Sequence, residues 1–262
     1  MIEEITSLDG LDAYRRVLDR FGSSKSKHNH NFEIQDLVVK IPVASRATHR
    51  LRSFLDFIFE VEPLRLGKGL RKAERAYVRT GDRITKPSYI KRIRSFPDYS
   101  RKTRTVNNID QIRLVARRFC EEPNASYHVI SIFRPVDLID KFRPGYVPCV
   151  VCADFKYRKN MLSGKFFFRS CDAYNLLPFD TFYCIGIMEQ LLDQIKMNHF
   201  ADKIEIGSAL FWFSRIYVSR FDIAQRPAMM RMIERYQANG HDTSPMQLKP
   251  KLLRKSPVLM PD

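Results

Sequence analysis

Tyr146-Val147-Pro148-Cys149-Val150-Val151-Cys152, Arg169-Ser170-Cys171-Asp172 and Leu177-Pro178-Phe179-Asp180 are three segments of one stretch, residues 146–180, and their reading decides the fold. Cys149 offers a nucleophile whose reactive form is the thiolate, and a nearby arginine favours that form. Arg169 and Ser170 can hold an anion between them. Asp180 offers a carboxylate that accepts hydrogen bonds from a heterocycle. The β-branched run over residues 147–155 predicts a buried strand. Residues three apart on a strand point to opposite faces, so Cys149 and Cys152 are poorly placed to share a metal or a disulfide. Cys152 reads as a small core residue.

Pro148-Cys149, followed twenty positions on by Arg169-Ser170-Cys171-Asp172 and then by Leu177-Pro178-Phe179-Asp180, resembles the core signature of the thymidylate synthase family. Ile109-Asp110-Gln111-Ile112 opening a helix, Glu122-Pro123 before a strand and Gly207-Ser208 before an aromatic cluster come in that family's order. The resemblance spans about residues 105–220. It implies an α+β fold, with helices packed on a twisted, mainly antiparallel sheet, and a homodimer paired through that sheet. It also implies a pyrimidine nucleotide as substrate and 5,10-methylenetetrahydrofolate as cofactor. Cys149 then adds to C6 of the base, which makes C5 electron-rich. Arg169 and Ser170 hold the substrate, and Asp172 and Tyr99 stand on the folate side.

The departures from the family narrow the reading. Thymidylate synthases have asparagine where this chain has Asp180, and the cytidylate hydroxymethylases of the family have aspartate. Cytosine presents an amino donor where uracil has a carbonyl, and a carboxylate accepts from it. A cytosine nucleotide and a hydroxymethyl product follow, with water rather than hydride quenching the exocyclic methylene. The arginine pair that the family lends across the dimer falls on Ser126 and Tyr127. The histidine and tyrosine that hold the sugar fall on Leu210 and Trp212, or on Phe211 and Phe213. That register makes Trp212, the one tryptophan of the chain, a substrate-side candidate. The family's proton-moving glutamate falls on Phe57, which cannot do that work, so Asp56 and Glu60, four apart on one helical face, become the candidates.

At 262 residues, 44% hydrophobic and 12% aromatic, the chain is long enough for one sizeable core. A single domain over residues 1–262 is expected, with a basic excursion at about 62–104 and a loose basic tail from about 240. Five cysteines without framework spacing fit a reducing compartment. The acidic start Met1-Ile2-Glu3-Glu4 lacks an apolar run, no stretch has membrane length, and a cytoplasmic protein is the expectation.

Net charge is +16, and residues 65–104 supply fourteen Lys or Arg against Glu74, Asp82 and Asp98. Such a window serves an anionic ligand, a nucleic acid or simply a solvated surface. Its aromatics are few, so it offers no clear stacking platform for single strands. Around this region, apolar periodicity predicts helices near residues 8–21, 50–60, 70–78, 181–197 and 229–238, and one capped by Asn108. Besides cysteine chemistry on a modified nucleoside or another heterocycle, two functions remain in view. One is folate-dependent one-carbon transfer to C5 of a cytosine nucleotide, with nucleic acid not favoured as a partner. The other is a family member without catalysis, acting as a basic binding or scaffold module.

Overall fold

From Leu177 to Met197 the chain is apolar on nearly every side, and in the computed structural model it is the central helix. A helix without a polar face must be covered all round. The structure describes residues 2–23, 27–28, 31–42, 47–61, 67–80, 83–100, 105–138, 147–197 and 203–239. The first half runs β1 (Glu3–Thr6), α1 (Gly10–Ser23), β2 (Lys27–His28), β3 (Asn31–Ile41), α2 (Ala47–Val61), α3 (Gly67–Glu74), β4 (Val78–Thr80), β5 (Arg83–Thr85), α4 (Pro87–Arg94), β6 (Phe96–Ser100) and β7 (Thr105–Ile109). The second half runs α5 (Gln111–Glu121), β8 (Val129–Ser131), a 3-10 turn (Pro135–Leu138), β9 (Val150–Arg158), β10 (Met161–Phe168), β11 (Cys171–Asp172), α6 (Leu177–Met197), β12 (Glu205–Ser219), α7 (Arg220–Ile223) and α8 (Arg226–Ala238).

The main sheet has the order β1-β3-β12-β10-β9-β8, with β11 beside β12 and β2 beside β3. It is mixed, with four antiparallel ladders beside the parallel β1–β3, β10–β12 and β11–β12 ladders. Phe166, Phe168, Phe211 and Phe213 are buried on one face, and their rings meet across β10 and β12. Gly164 on that face lets α6 approach, since a Cβ there would stand 3.0 Å from the Met188 sulfur. Outside α6, the helices bury one face each: Leu11, Tyr14, Val17 and Phe21 of α1, Leu51, Phe54 and Ile58 of α2, Ile112, Val115 and Phe119 of α5. Each such side chain contributes about 1.5–3 kcal/mol when fully buried.

Several sequence expectations shift by a few residues, each for a local reason. Helix α6 begins four residues before Thr181 because Pro178 fits a first helical turn, where its missing N–H is not needed. Pro227 likewise opens α8 rather than breaking the chain. The cap of α5 is Asp110, whose carboxylate accepts from the Arg113 N–H, while Asn108 pairs with Pro97 in a ladder. Strand β12 runs unbroken over Glu205–Ser219. Strand β9 starts at Val150, so Cys149 precedes the strand instead of lying on it. The β9–β10 turn places Lys159 and Asn160 at φ 50° and 60°, as a two-residue hairpin with the right strand twist requires.

The window expected to stand beside the sheet as a basic excursion joins the core. Leu70, Ala73, Tyr77, Tyr89 and Ile93 all belong to the main apolar cluster. Two helices form there, α3 and α4, where one at residues 70–78 was expected. Helix α4 is locked from below, because buried Arg92 donates to Asp137 Oδ2 at 2.7 Å and to the Ile132 carbonyl at 3.2 Å. Gln111 ties the same turn to β8, donating to the Arg92 carbonyl and exchanging two bonds with Ser131. Residues 62–66, 81–82 and 101–104 of the window, and the expected tail from 240, lie outside the described residues.

Candidate functional site

Cys149 sits between β9 and the end of β10, and its backbone is held from two sides. Its N–H donates to the Tyr89 hydroxyl at 2.7 Å, and its carbonyl accepts from the Arg169 N–H at 3.0 Å. The Arg169 guanidinium continues that grip, with Nε donating to the Pro148 carbonyl at 2.9 Å and Nη2 to the Val147 carbonyl at 3.1 Å. The hairpin register makes this possible, since Phe168 pairs with Val150 and thereby sets Arg169 opposite Cys149. Arg169 thus holds the backbone that presents the sulfur.

The thiol itself is partly buried, and its pKa is pushed up. Burial is the largest cause and the negative charge of Asp180 adds to it, while Lys86, Arg169 and a hydrogen bond from Ser170 pull the other way. Arg169 therefore favours the thiolate, as expected, but does not prevail. Burial and the Asp180 charge together favour the neutral thiol over the thiolate.

Asp180 lies in the first turn of α6 and is 1% exposed. The Tyr77 hydroxyl donates to its Oδ1, and the Cys171 thiol to its Oδ2 at 3.6 Å. Burial raises the pKa of this carboxyl, against Lys86, Tyr77 and Cys171, which all favour the charged form. Tyr77 in turn stacks on Phe179 with ring centres 5.5 Å apart, so the hydroxyl is aimed by a packed ring. Cys149, Arg169, Ser170 and Asp180 are thus brought together by the end of β10 and the start of α6.

Other candidates go elsewhere. Trp212 is on the opposite face of β12 from Phe211 and Phe213, beside Phe167 and opposite Val38, because side chains alternate along a strand. The substrate-side place expected for it is corrected accordingly. The tyrosine of β12 that acts on Cys149, Cys171 and Asp172 is Tyr217. Asp56 and Glu60 lie on the exposed side of α2, away from its buried Leu51, Phe54 and Ile58. Asp56 acts on Glu74 of α3, and neither carboxylate is among the main groups that shift the Cys149 thiol. Phe57 packs on Tyr236, with ring centres 5.6 Å apart.

Asp172 organises the turn before α6. Its Oδ1 accepts from the N–H groups of Tyr174 and Asn175 at 3.0 and 3.1 Å, and its Oδ2 from the Asn175 side chain at 3.0 Å. It pairs in register with Tyr217, and burial raises its pKa. Tyr99 pairs with Val106 in the β6–β7 ladder, and its side chain lies outside what the structure describes.

Tyr77, Lys86, Tyr89 and Tyr217 are the site residues that sequence reasoning missed. Three of them come from the window read as basic surface. The available signal there was a pair of tyrosines flanking Lys86-Pro87 among charged residues.

The thymidylate synthase family model matches residues 73–208, just over half of the chain. The match takes in α4, α5, Cys149, Arg169 and Asp180, and no curated protein matches the chain.

Proposed function

The chain belongs to the thymidylate synthase family, and from that premise we propose that it transfers a one-carbon unit to C5 of a cytosine nucleotide, leaving a hydroxymethyl group. The observation that carries the choice of base is Asp180, a carboxylate buried to 1% exposure beside Cys149. An ionised carboxylate only accepts hydrogen bonds, which suits the amino group of cytosine and not the carbonyl of uracil.

Cys149 is the nucleophile in this reading. The thiolate pair forms the Sγ–C6 bond, and the C5=C6 π pair moves toward C5 and the ring nitrogen. Tyr89 and Arg169 hold the backbone of Cys149 so that the sulfur meets C6 in one orientation. Ser170, whose side chain bonds the Cys149 sulfur, is in this reading the group that bonds the rest of the nucleotide. When bound, 5,10-methylenetetrahydrofolate supplies the carbon. Asp172 fits that cofactor, being a half-exposed carboxylate held rigid by Asn175 with acceptor capacity to spare for ring N–H groups.

The sheet face that carries Val38, Cys152, Phe167 and Trp212 in one row supports a homodimer. Trp212 there is 36% exposed. Light scattering tests this, with a dimer expected for the parent and monomer for Trp212→Arg; a monomeric parent rejects it.

Tritium release from C5-labelled cytosine and uracil nucleotides, with and without 5,10-methylenetetrahydrofolate, tests the function. Release from the cytosine nucleotide is expected. Preference for uracil rejects the choice of base, and no release from either rejects catalysis in favour of a binding module.

A further inference from the structure

Lys86 stands at the junction of β5 and α4 with an extended backbone, φ −106° and ψ 108°, the conformation that a following proline imposes. Its carbonyl accepts from the N–H groups of Tyr89 and Ile90, both at 2.9 Å, so the start of α4 fixes where its side chain begins. That side chain is half-buried, and Nζ lies 4.2 Å from the centre of the Tyr89 ring and 5.3 Å from that of Tyr77. Aromatic faces attract an ammonium without neutralising it.

The same two rings hold the Cys149 backbone and the Asp180 carboxylate. The Tyr89 hydroxyl accepts from the Cys149 N–H, and the Tyr77 hydroxyl donates to Asp180. Two cations act on the Cys149 sulfur, Lys86 and Arg169, and Arg169 is tied to the carbonyls of Val147 and Pro148. Lys86 is also the first of the groups that favour the ionised form of Asp180.

We propose that Lys86 is a positioning residue of the reaction, the fixed cation that stands beside the sulfur before attack and beside the base after it. The proposal rests on Cys149 being the nucleophile. Once the thiol has given its proton to water, the sulfur pair becomes the Sγ–C6 bond, the C5=C6 pair moves into the ring, and one negative charge passes from sulfur to ring. A preorganised ammonium near both places stabilises the charge along that whole path, which mobile water cannot do at the same cost of reorganisation. The basic window then contributes one buried-side charge to the chemistry, distinct from the charges on its surface.

Alkylation of Cys149 by iodoacetamide, followed across pH at the peptide that contains it, tests this without any nucleotide. Lys86→Met keeps the aliphatic stem and removes the charge, and Lys86→Arg restores a cation. In Lys86→Met the rate at neutral pH is expected to fall roughly tenfold, with the alkaline limb moved to higher pH. Lys86→Arg recovers most of the rate, and Cys152, on the other sheet face, is unchanged in both. An unchanged profile at Cys149 in folded Lys86→Met protein overturns the proposal. Lys86→Gln is read in the same way if Lys86→Met does not fold. Retained C5 exchange with no alkylation effect rejects the role of Lys86 alone, whereas an alkylation effect with no C5 exchange on either nucleotide keeps Lys86 as the cation beside the sulfur and rejects the proposed reaction.

Discussion

Residues 147–180 and residues 77–92 contribute about equally to this site, yet only the first region looks like a site in the sequence. The first supplies Cys149, Arg169, Ser170 and Asp180 on a run of apolar strands and a helix start. The second supplies Tyr77, Lys86 and Tyr89 from a window whose composition is dominated by charge. In the first, function and signature are contiguous. In the second, each residue matters because the fold carries it 60 residues away to Cys149 or 103 residues away to Asp180. Charge composition describes the surface of that window, while its tyrosines are buried and aimed inward.

The sharpest test of the first region is the sulfur. Cys149→Ser is expected to lower C5 exchange by a factor on the order of 10³ or more, because a hydroxyl is a far weaker nucleophile than a thiolate. Cys152→Ser is expected to leave exchange within about twofold, since Cys152 pairs with Phe167 on the other side of the sheet. Stopped exchange in Cys152→Ser, or retained exchange in Cys149→Ser, breaks the assignment of the two cysteines.

Asp180 links the regions, because its carboxylate belongs to the signature and its first partner, Tyr77, does not. Asp180→Asn is expected to move preference from cytosine toward uracil by roughly tenfold or more, the size of a mismatched buried hydrogen bond. It has a second expected effect, on pH. The Asp180 charge helps hold the Cys149 thiol above its ordinary value near 9.0, so exchange by the parent should climb with pH through neutrality as thiolate accumulates. Removing that charge lowers the thiol's pKa, and the climb should shift to lower pH. A profile that stays in place when Asp180 is replaced means that the two groups do not share one pocket.

How much was legible follows the same division. The α+β class and the long helix near residues 181–197 were readable, since apolar periodicity and a linked motif are local properties. The mixed sheet was not, because parallel ladders such as β10–β12 depend on which distant strands meet. Asp56 and Glu60 were sensible candidates by helical spacing alone. Spacing tells which residues share a face, and only packing tells whether that face looks inward. Trp212 failed for a related reason. Its register in β12 places it one residue out of phase with buried Phe211 and Phe213, and a slip of one residue changes the face. Tyr217, five residues on, is the β12 residue paired in register with Asp172.

The smallest expected effect separates the two kinds of residue within the second region. Lys72, Arg75 and Lys91 are exposed, and they stand for the surface charge of the window. If that charge is only a solvated face that also draws in anions, Lys72→Gln, Arg75→Gln and Lys91→Gln together should raise KM no more than about threefold and leave kcat within about twofold, because charges in water are screened beyond about 10 Å at ordinary salt. Binding to duplex or single-stranded nucleic acid should then be weak at physiological salt in both proteins. The scaffold reading expects the reverse: tight binding at low salt in the parent, with a log–log salt slope near the number of phosphates contacted, reduced by about three contacts in the triple variant. Among the described side chains of the window, Tyr77 and Tyr89 are buried against Phe179 and Tyr183 and offer bases no face on which to stack. A steep slope found together with absent C5 exchange would make the exposed charges the working part of this region and reduce its tyrosines to core.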